Sequence, residues 1–283
     1  MILFKKVTDL RKWLDVQQKN EIKIGFVPTM GALHDGHLSL IRSSKKDNPV
    51  TLCSIFVNPT QFNDPKDFEK YPITIEQDIE MLEAAGCDVL FLPSLKEMYP
   101  EGIQPKMHYE LGVLEKVLEG KFRPGHFQGV SMVVHRLLEI VQPDSLYLGQ
   151  KDYQQCMVIA KLIELINQDK KIKVNICPTF READGLAMSS RNMRLDEVER
   201  KAAIAIYQSL ILVKENIQTE NVSELKQKAH SLLEKAGFRV EYFEIVDATG
   251  LSSIDQYGGQ QKLIALVAAY INEVRLIDNM ILN

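Results

Sequence analysis

The chain reads as an α/β protein, a doubly wound Rossmann-like parallel sheet followed by a smaller α+β C-terminal domain. Three observations predict this. Through about residue 179, short apolar runs alternate with amphipathic stretches of helical period. The runs "IKIGFV", "VTLCSIFV", "DVLFLP" and "SLYLG" are nearly continuous rather than alternating, as expected of strands covered on both faces. Beyond that point two helical stretches precede three strand-like runs, the order of an α+β unit.

Taken in order, "IKIGFV" is the first strand, with a helix opening near Gly36, and "VTLCSIFV" is the next strand. A loop then leads into a helix in "TIEQDIEMLEAAG", where Gly86 is a natural stop. "DVLFLP" follows as a strand, then a glycine- and proline-bearing working loop at 115–129 and a helix in "GVSMVVHRLLEIVQP". "SLYLG", a helix in "DYQQCMVIAKLIELINQD" and a strand in "KIKVNICPT" complete the first domain, 1–179. The second, 180–283, has a polar loop "READGLAMSSRN", helices within 196–218 and 223–236, and strands in "RVEYFEIVDA", "KLIALVAAYI" and "VRLIDNMIL".

Composition narrows the function classes. Lysine and arginine total 34 against 38 acids, a net charge of -4 with no like-charge block, which argues against nucleic acid as a main partner. Cys53, Cys87, Cys156 and Cys177 are scattered in apolar segments without a C-x-x-C pair, as buried thiols of a reduced, cytoplasmic protein are. No apolar stretch reaches the roughly 18 residues of a membrane span, and "MILFKKVTDLRKW" lacks the pattern of a signal peptide.

The most informative stretch is "VPTMGALHDGHLSLI", where His34 and His37 follow a strand and enter a helix. In open α/β sheets, ligands bind beyond the carboxyl ends of the strands. A helix start there offers unpaired N–H groups and a positive dipole end to a phosphate, with Gly31 and Gly36 allowing close backbone approach. Neither G-x-G-x-x-G nor G-K-[ST] is present. Two imidazoles instead donate hydrogen bonds and can move a proton near neutral pH, which suits nucleotidyl transfer. A lone H-x-x-H pair is more often a surface and first-turn pair, and a zinc pair is the other rival, though no third ligand stands out. Strand, glycines and helix together favour the phosphate reading.

"PTMGALHDGH" resembles the H-x-G-H signature of the nucleotidylyltransferase superfamily, shared in variant form by class I aminoacyl-tRNA synthetases. The longer string, with "FVNPTQF", "RPGHFQGV", "LGQKDYQQ" and "DGLAMSSRN" in that order, resembles the pantoate–β-alanine ligase family across nearly the whole chain. The resemblance implies ligation of pantoate and β-alanine through a pantoyl adenylate, with release of pyrophosphate and AMP. It further implies ATP as cosubstrate, Mg2+, a homodimer, and a C-terminal domain acting as a lid over the ATP site.

By the same resemblance His34, His37 and Lys151 are catalytic, His37 as proton donor. Nucleotide binding falls to Met30, Gly31, Ala32, Leu33, His34, Asp35, Gly36, His37, Gly149, Gln150, Lys151, Asp152, Phe180, Met188, Ser189, Ser190 and Arg191. Pantoate, with two hydroxyls and a carboxylate, falls to Gln61 and Gln155, with Pro28, Thr29, Met30, Asn58 and Arg123 around them. Taken alone, Lys151 reads as a solvated lysine, Asp152 as a helix N-cap, and the glutamines as surface residues. Asp78 is the expected magnesium ligand, although helix-face acids are more often solvated. The family often shows Tyr-Pro-Arg and two or three acids here; this chain reads "YPITIEQDIE", with Ile73 and Gln77 departing from that pattern where an arginine contact and a second magnesium carboxylate would be expected. Two rival readings are another H-x-G-H nucleotidylyltransferase and a non-catalytic adenylate sensor.

Overall fold

The computed structural model describes residues 1–105 and 107–283. The chain divides into two compact units, Met1–Pro178 and Thr179–Asn283. The first contains β1 (Ile2–Phe4), α1 (Val7–Lys19), β2 (Ile24–Thr29), α2 (Asp35–Asp47), β3 (Val50–Ile55), α3 (Pro65–Glu69), α4 (Ile75–Ala84) and β4 (Val89–Phe91). It continues with α5 (Leu95–Met98), α6 (Leu118–Phe122), α7 (His126–Val141), β5 (Ser145–Gly149), α8 (Tyr153–Leu165) and β6 (Lys173–Cys177).

All six strands are parallel, in the order β1-β4-β3-β2-β5-β6. The doubly wound reading therefore holds, with one addition. "IKIGFV" is the second strand, because Ile2–Phe4 pairs with Val89–Phe91 at the sheet edge. Three residues, two of them exposed, form too short a run to stand out in the sequence. "VTLCSIFV" supplies β3, whose Leu52 and Cys53 are fully buried between β2 and β4. The four cysteines are buried free thiols.

After β2 the chain winds through β3 to β4 on one side, then returns to place β5 against β2 on the other, Phe26 facing Leu146. The boundary between β2 and β5 is thus the point where the winding reverses and where open α/β sheets bind ligands. A polar clasp fixes α2 across it. Ser44 and Thr51 hydroxyls lie 2.7 Å apart, Asn48 donates to the Tyr147 hydroxyl at 2.8 Å, and that hydroxyl donates to Asp47 at 2.9 Å. Helix α2 is thereby tied to both β3 and β5, which sets where its N-terminus opens.

The second unit has α9 (Glu197–Ala202), α10 (Ile204–Asn216) and α11 (Val222–Lys235), then the antiparallel strands β7 (Arg239–Asp247), β8 (Leu263–Ile271) and β9 (Val274–Ile281) in that order. Leu210, Val213, Leu225 and Leu233 of its helices form one core with Phe243, Ala265 and Val267 of its sheet. Arg181 makes a paired guanidinium contact to the buried Asp278 at 2.6 and 3.1 Å. Among the described residues no helix is long and apolar enough to cross a membrane.

Candidate active site

Three strand ends build the site in the first unit. Pro28 and Thr29 end β2; the Thr29 hydroxyl donates to the Ser54 carbonyl at 2.7 Å and accepts from Gly31 N–H. Residues 30–34 then turn into α2, with His34 at its N-cap position in extended conformation. No side chain caps this helix; His37 and Leu38 N–H bond to the His34 carbonyl, and the positive end of the dipole opens at Asp35 and Gly36. Asp35, Gly36 and His37 form its first turn.

His34 and His37, one helical turn apart, stack at 4.1 Å between ring centroids with a 37° tilt. Both rings are half-buried, and the buried Nδ1 of His37 has no hydrogen-bond partner. Burial, then the neighbouring His34, then the Lys151 ammonium push the His37 pKa well below the ordinary histidine value. Lys151 comes from the tight turn Gln150–Asp152 that follows β5, and its Nζ lies 3.5 Å from Asp152. The two junctions predicted from distant parts of the chain thus meet across the β2–β5 boundary.

The third strand end is β3. Beyond it Asn58 caps a tight turn, Pro59–Gln61, by accepting from Thr60 N–H, and its amide donates to Gly129 carbonyl at 3.1 Å. Gln61 Nε2 donates to the Met30 sulfur at 2.9 Å, which joins this turn to the β2–α2 loop. His126 Nδ1 lies 2.7 Å from the Gln61 carbonyl, and its Nε2 is 3.3 Å from Arg123 Nη1. Since Nδ1 faces an acceptor and Nε2 a cation, the ring is neutral with its proton on Nδ1. Burial first and Arg123 second lower its pKa to about 4. Asp152 adds an opposing electrostatic influence on this ring.

Gln154, next to the predicted Gln155, is buried and holds residues 114–119, accepting from Glu119 N–H and donating to the Leu114 and Val117 carbonyls. Gln155 is half-buried in the first turn of α8. Arg123 sits beside Glu119 at 3.7 Å as well as His126. Asp78 is almost fully buried, and its oxygens accept from Ala32 N–H at 2.9 Å, Leu33 N–H at 2.8 Å and the Thr74 hydroxyl at 3.0 Å. The backbone donors of Ala32 and Leu33, expected to face a phosphate, already face this carboxylate.

The remaining candidates lie in the second unit. Phe180 is exposed, and its carbonyl accepts from Met188 N–H at 3.0 Å. Ser189 caps the turn Ser190–Arg194 by accepting from Arg191 N–H, and Ser190 is buried. Arg200, paired to Glu182 at 2.6 Å and Asp184 at 2.8 Å, braces the same loop.

A model of the pantoate-beta-alanine ligase family matches residues 2–281. The chain belongs to that family. Relatives named pantothenate synthetase include those of Cytophaga hutchinsonii, 44% identical over 285 residues covering 100% of this chain and 99% of that protein, and Marinomonas sp., 44% identical with 99% of each covered. A crystal structure of pantothenate synthetase from Thermus thermophilus superposes with a TM-score of 0.91 at 39% identity and 99% coverage of both chains. The pantoate-beta-alanine ligase of Francisella tularensis, solved as a complex with beta-gamma ATP and beta-alanine, gives 0.80 at 39% identity, covering 99% of this chain and 97% of that one. The protein is accordingly an enzyme of the pantoate–β-alanine ligase family, a ligase of pantothenate biosynthesis.

Sequence reasoning missed His126 and Gln154 as individuals. The signal for His126 was present in "RPGHFQG", but nothing in that string says that its imidazole reaches the Gln61 carbonyl.

Proposed function

We propose that the enzyme joins pantoate to β-alanine through a pantoyl adenylate formed at the β2–β5 boundary. The observation that carries this reading is the His34–His37 stack, with the partnerless buried Nδ1 of His37, beside Lys151 at an uncapped helix start. In the first step a pantoate carboxylate oxygen bonds to the α-phosphorus of ATP as the bond to the β-phosphate bridging oxygen breaks. The carboxylate is already ionised at neutral pH, so the step needs alignment and stabilisation of growing negative charge rather than a general base. Lys151 and the two imidazoles supply these, and a bound polyanion would draw the His37 pKa back up, which lets that ring give a proton or hydrogen bond to departing pyrophosphate. In the second step the neutral amine of β-alanine bonds to the acyl carbon, the bond from that carbon to the AMP phosphate oxygen breaks, AMP leaves, and the nitrogen gives up one proton to solvent.

Gln61, with Gln155, Asn58, Pro28, Thr29, Met30 and Arg123, is proposed to hold pantoate. Nucleotide-binding roles for Gly149–Asp152, Phe180, Met188, Ser189, Ser190 and Arg191, a lid role for the second unit, the homodimer and a cytoplasmic location rest on the resemblance and composition. Magnesium fits poorly as a protein-held ion, since Asp78 uses its oxygens on backbone and Thr74, and no group of three or more His, Cys, Asp or Glu among the described residues is arranged to hold one. It enters this reading as part of the ATP complex.

ATP–pyrophosphate exchange tests the proposal. Label should enter ATP only with pantoate present, and adding β-alanine should release AMP and form pantothenate. Exchange without pantoate would instead indicate a different nucleotidylyltransferase, and binding of ATP with no exchange would indicate a sensor.

A further inference from the structure

We infer that Asp78 is a positioning residue, a buried carboxylate from the first turn of α4 that fills the anion-binding hollow of residues 31–33 and so aims His34 and His37. The inference rests on the catalytic reading of those histidines and assigns Asp78 a role distinct from metal binding.

The geometry runs through backbone. Gly31 and Ala32 both lie in the left-handed region, with φ of +82° and +48°. Alanine there is strained, and the strain persists only where surroundings hold it. Successive backbone N–H groups in a turn can face one side and make a concave anion receptor. Here Ala32 and Leu33 N–H converge on Oδ2 and Oδ1 of Asp78. Thr74, at the N-cap of α4, donates its hydroxyl to the Asp78 side chain and does not cap a backbone N–H of the helix. The carboxylate also lies near the positive end of the α4 dipole, where negative charge is favoured. A Cβ added at Gly31 would come within 3.0 Å of both Asp78 Oδ2 and an Ile55 methyl, so the turn is clamped from two sides. Leu33 anchors its far end in the core with Leu40, Ile41 and Leu82, the last on α4 itself. His34 follows directly, with its carbonyl accepting from His37 and Leu38 N–H at 2.8 and 3.1 Å. A shift of the turn therefore moves the start of α2 and both imidazoles together.

The test uses Asp78→Asn, Thr74→Val and the double variant Asp78→Asn with Ala32→Gly, each read two ways. Hydrogen exchange of the unliganded protein, resolved at residues 32 and 33, should quicken by about tenfold to a hundredfold in Asp78→Asn, the range for losing a bond to a charged acceptor. Pantoate-dependent ATP–pyrophosphate exchange should fall by about tenfold to a hundredfold in kcat, with KM values and the magnesium requirement shifted far less. Ala32→Gly, which removes the left-handed strain, should restore part of the kcat loss. Thr74→Val should move both readouts in the same direction by less, and it serves if Asp78→Asn does not fold. Unchanged amide exchange at 32 and 33 overturns the inference, as does a raised magnesium requirement with kcat recovered at saturating metal. If the wild-type protein shows no pantoate-dependent exchange, the catalytic reading fails while the amide measurement still decides whether Asp78 holds the turn.

Discussion

Two loops border the proposed site, and they are held by opposite chemistry. The β2–α2 turn offers N–H groups and is gripped by an acceptor, Asp78; the Gln61 turn offers a carbonyl and is gripped by a donor, His126. Each gripping residue comes from the first turn of a later helix and is buried. The difference teaches how each grip responds to conditions. A carboxylate accepts best when charged, and its helix end favours that charge. An imidazole needs only one proton on Nδ1, so the second grip works in the neutral form, and a second proton, on Nε2, would be buried facing the Arg123 guanidinium.

The largest expected effect lies on the histidine side of the comparison. His37→Ala should cut ATP–pyrophosphate exchange by about two to three orders of magnitude, the loss expected for a transition-state donor, with little change in the urea midpoint. Unaltered exchange would make that ring scaffolding, and the two loops would then differ only in stability.

Acid sharpens the contrast next. Unfolded, His126 takes up its proton near 6.5; folded, burial and Arg123 hold it to about 4. Between those values the unfolded chain binds the additional proton, so stability rises with pH across the window and is lost as pH falls from 6.5 towards 4. The loss from this group is about 3 kcal/mol. Urea unfolding of the wild type against His126→Asn, whose amide can still donate to Gln61, should show a flatter pH slope in the variant.

Gly129→Ala presses on the donor-held loop from below, because an added Cβ would sit 2.2 Å from the Thr60 carbonyl oxygen. It should destabilise by about 1–3 kcal/mol, as overpacking does, and raise the pantoate KM. An unshifted KM would separate Gln61 from α7. The smallest effect is expected from Gln61→Ala, an increase of about tenfold in pantoate KM with ATP KM nearly unchanged, the scale of one lost hydrogen bond. A change confined to ATP would remove this residue from the acid pocket.

Much of the frame was legible in the chain itself. Continuous apolar runs marked β2, β3, β4 and β5, and the helices-then-strands order read after about residue 179 corresponds to the helices and three antiparallel strands that end the chain. The strand, glycine and H-x-G-H succession marked the β2–α2 junction, and "GQKDY" marked the turn after β5. The gripping residues were not legible. Asp78 read as a helix-face acid facing metal or solvent because its partners are 45 and 46 positions away. His126 lies 65 positions from the carbonyl it holds, and the partners of the buried Gln154 lie 35 to 40 positions before it.

Sequence by itself determined the class of elements, their order and the residue types able to face a polyanion, since hydrophobic period, caps and turn residues act over a few positions. Tertiary structure alone decided which side chains stabilise the strained turns behind those residues. Such grips form only when strand order brings distant segments within hydrogen-bond reach, a distance that no local pattern encodes.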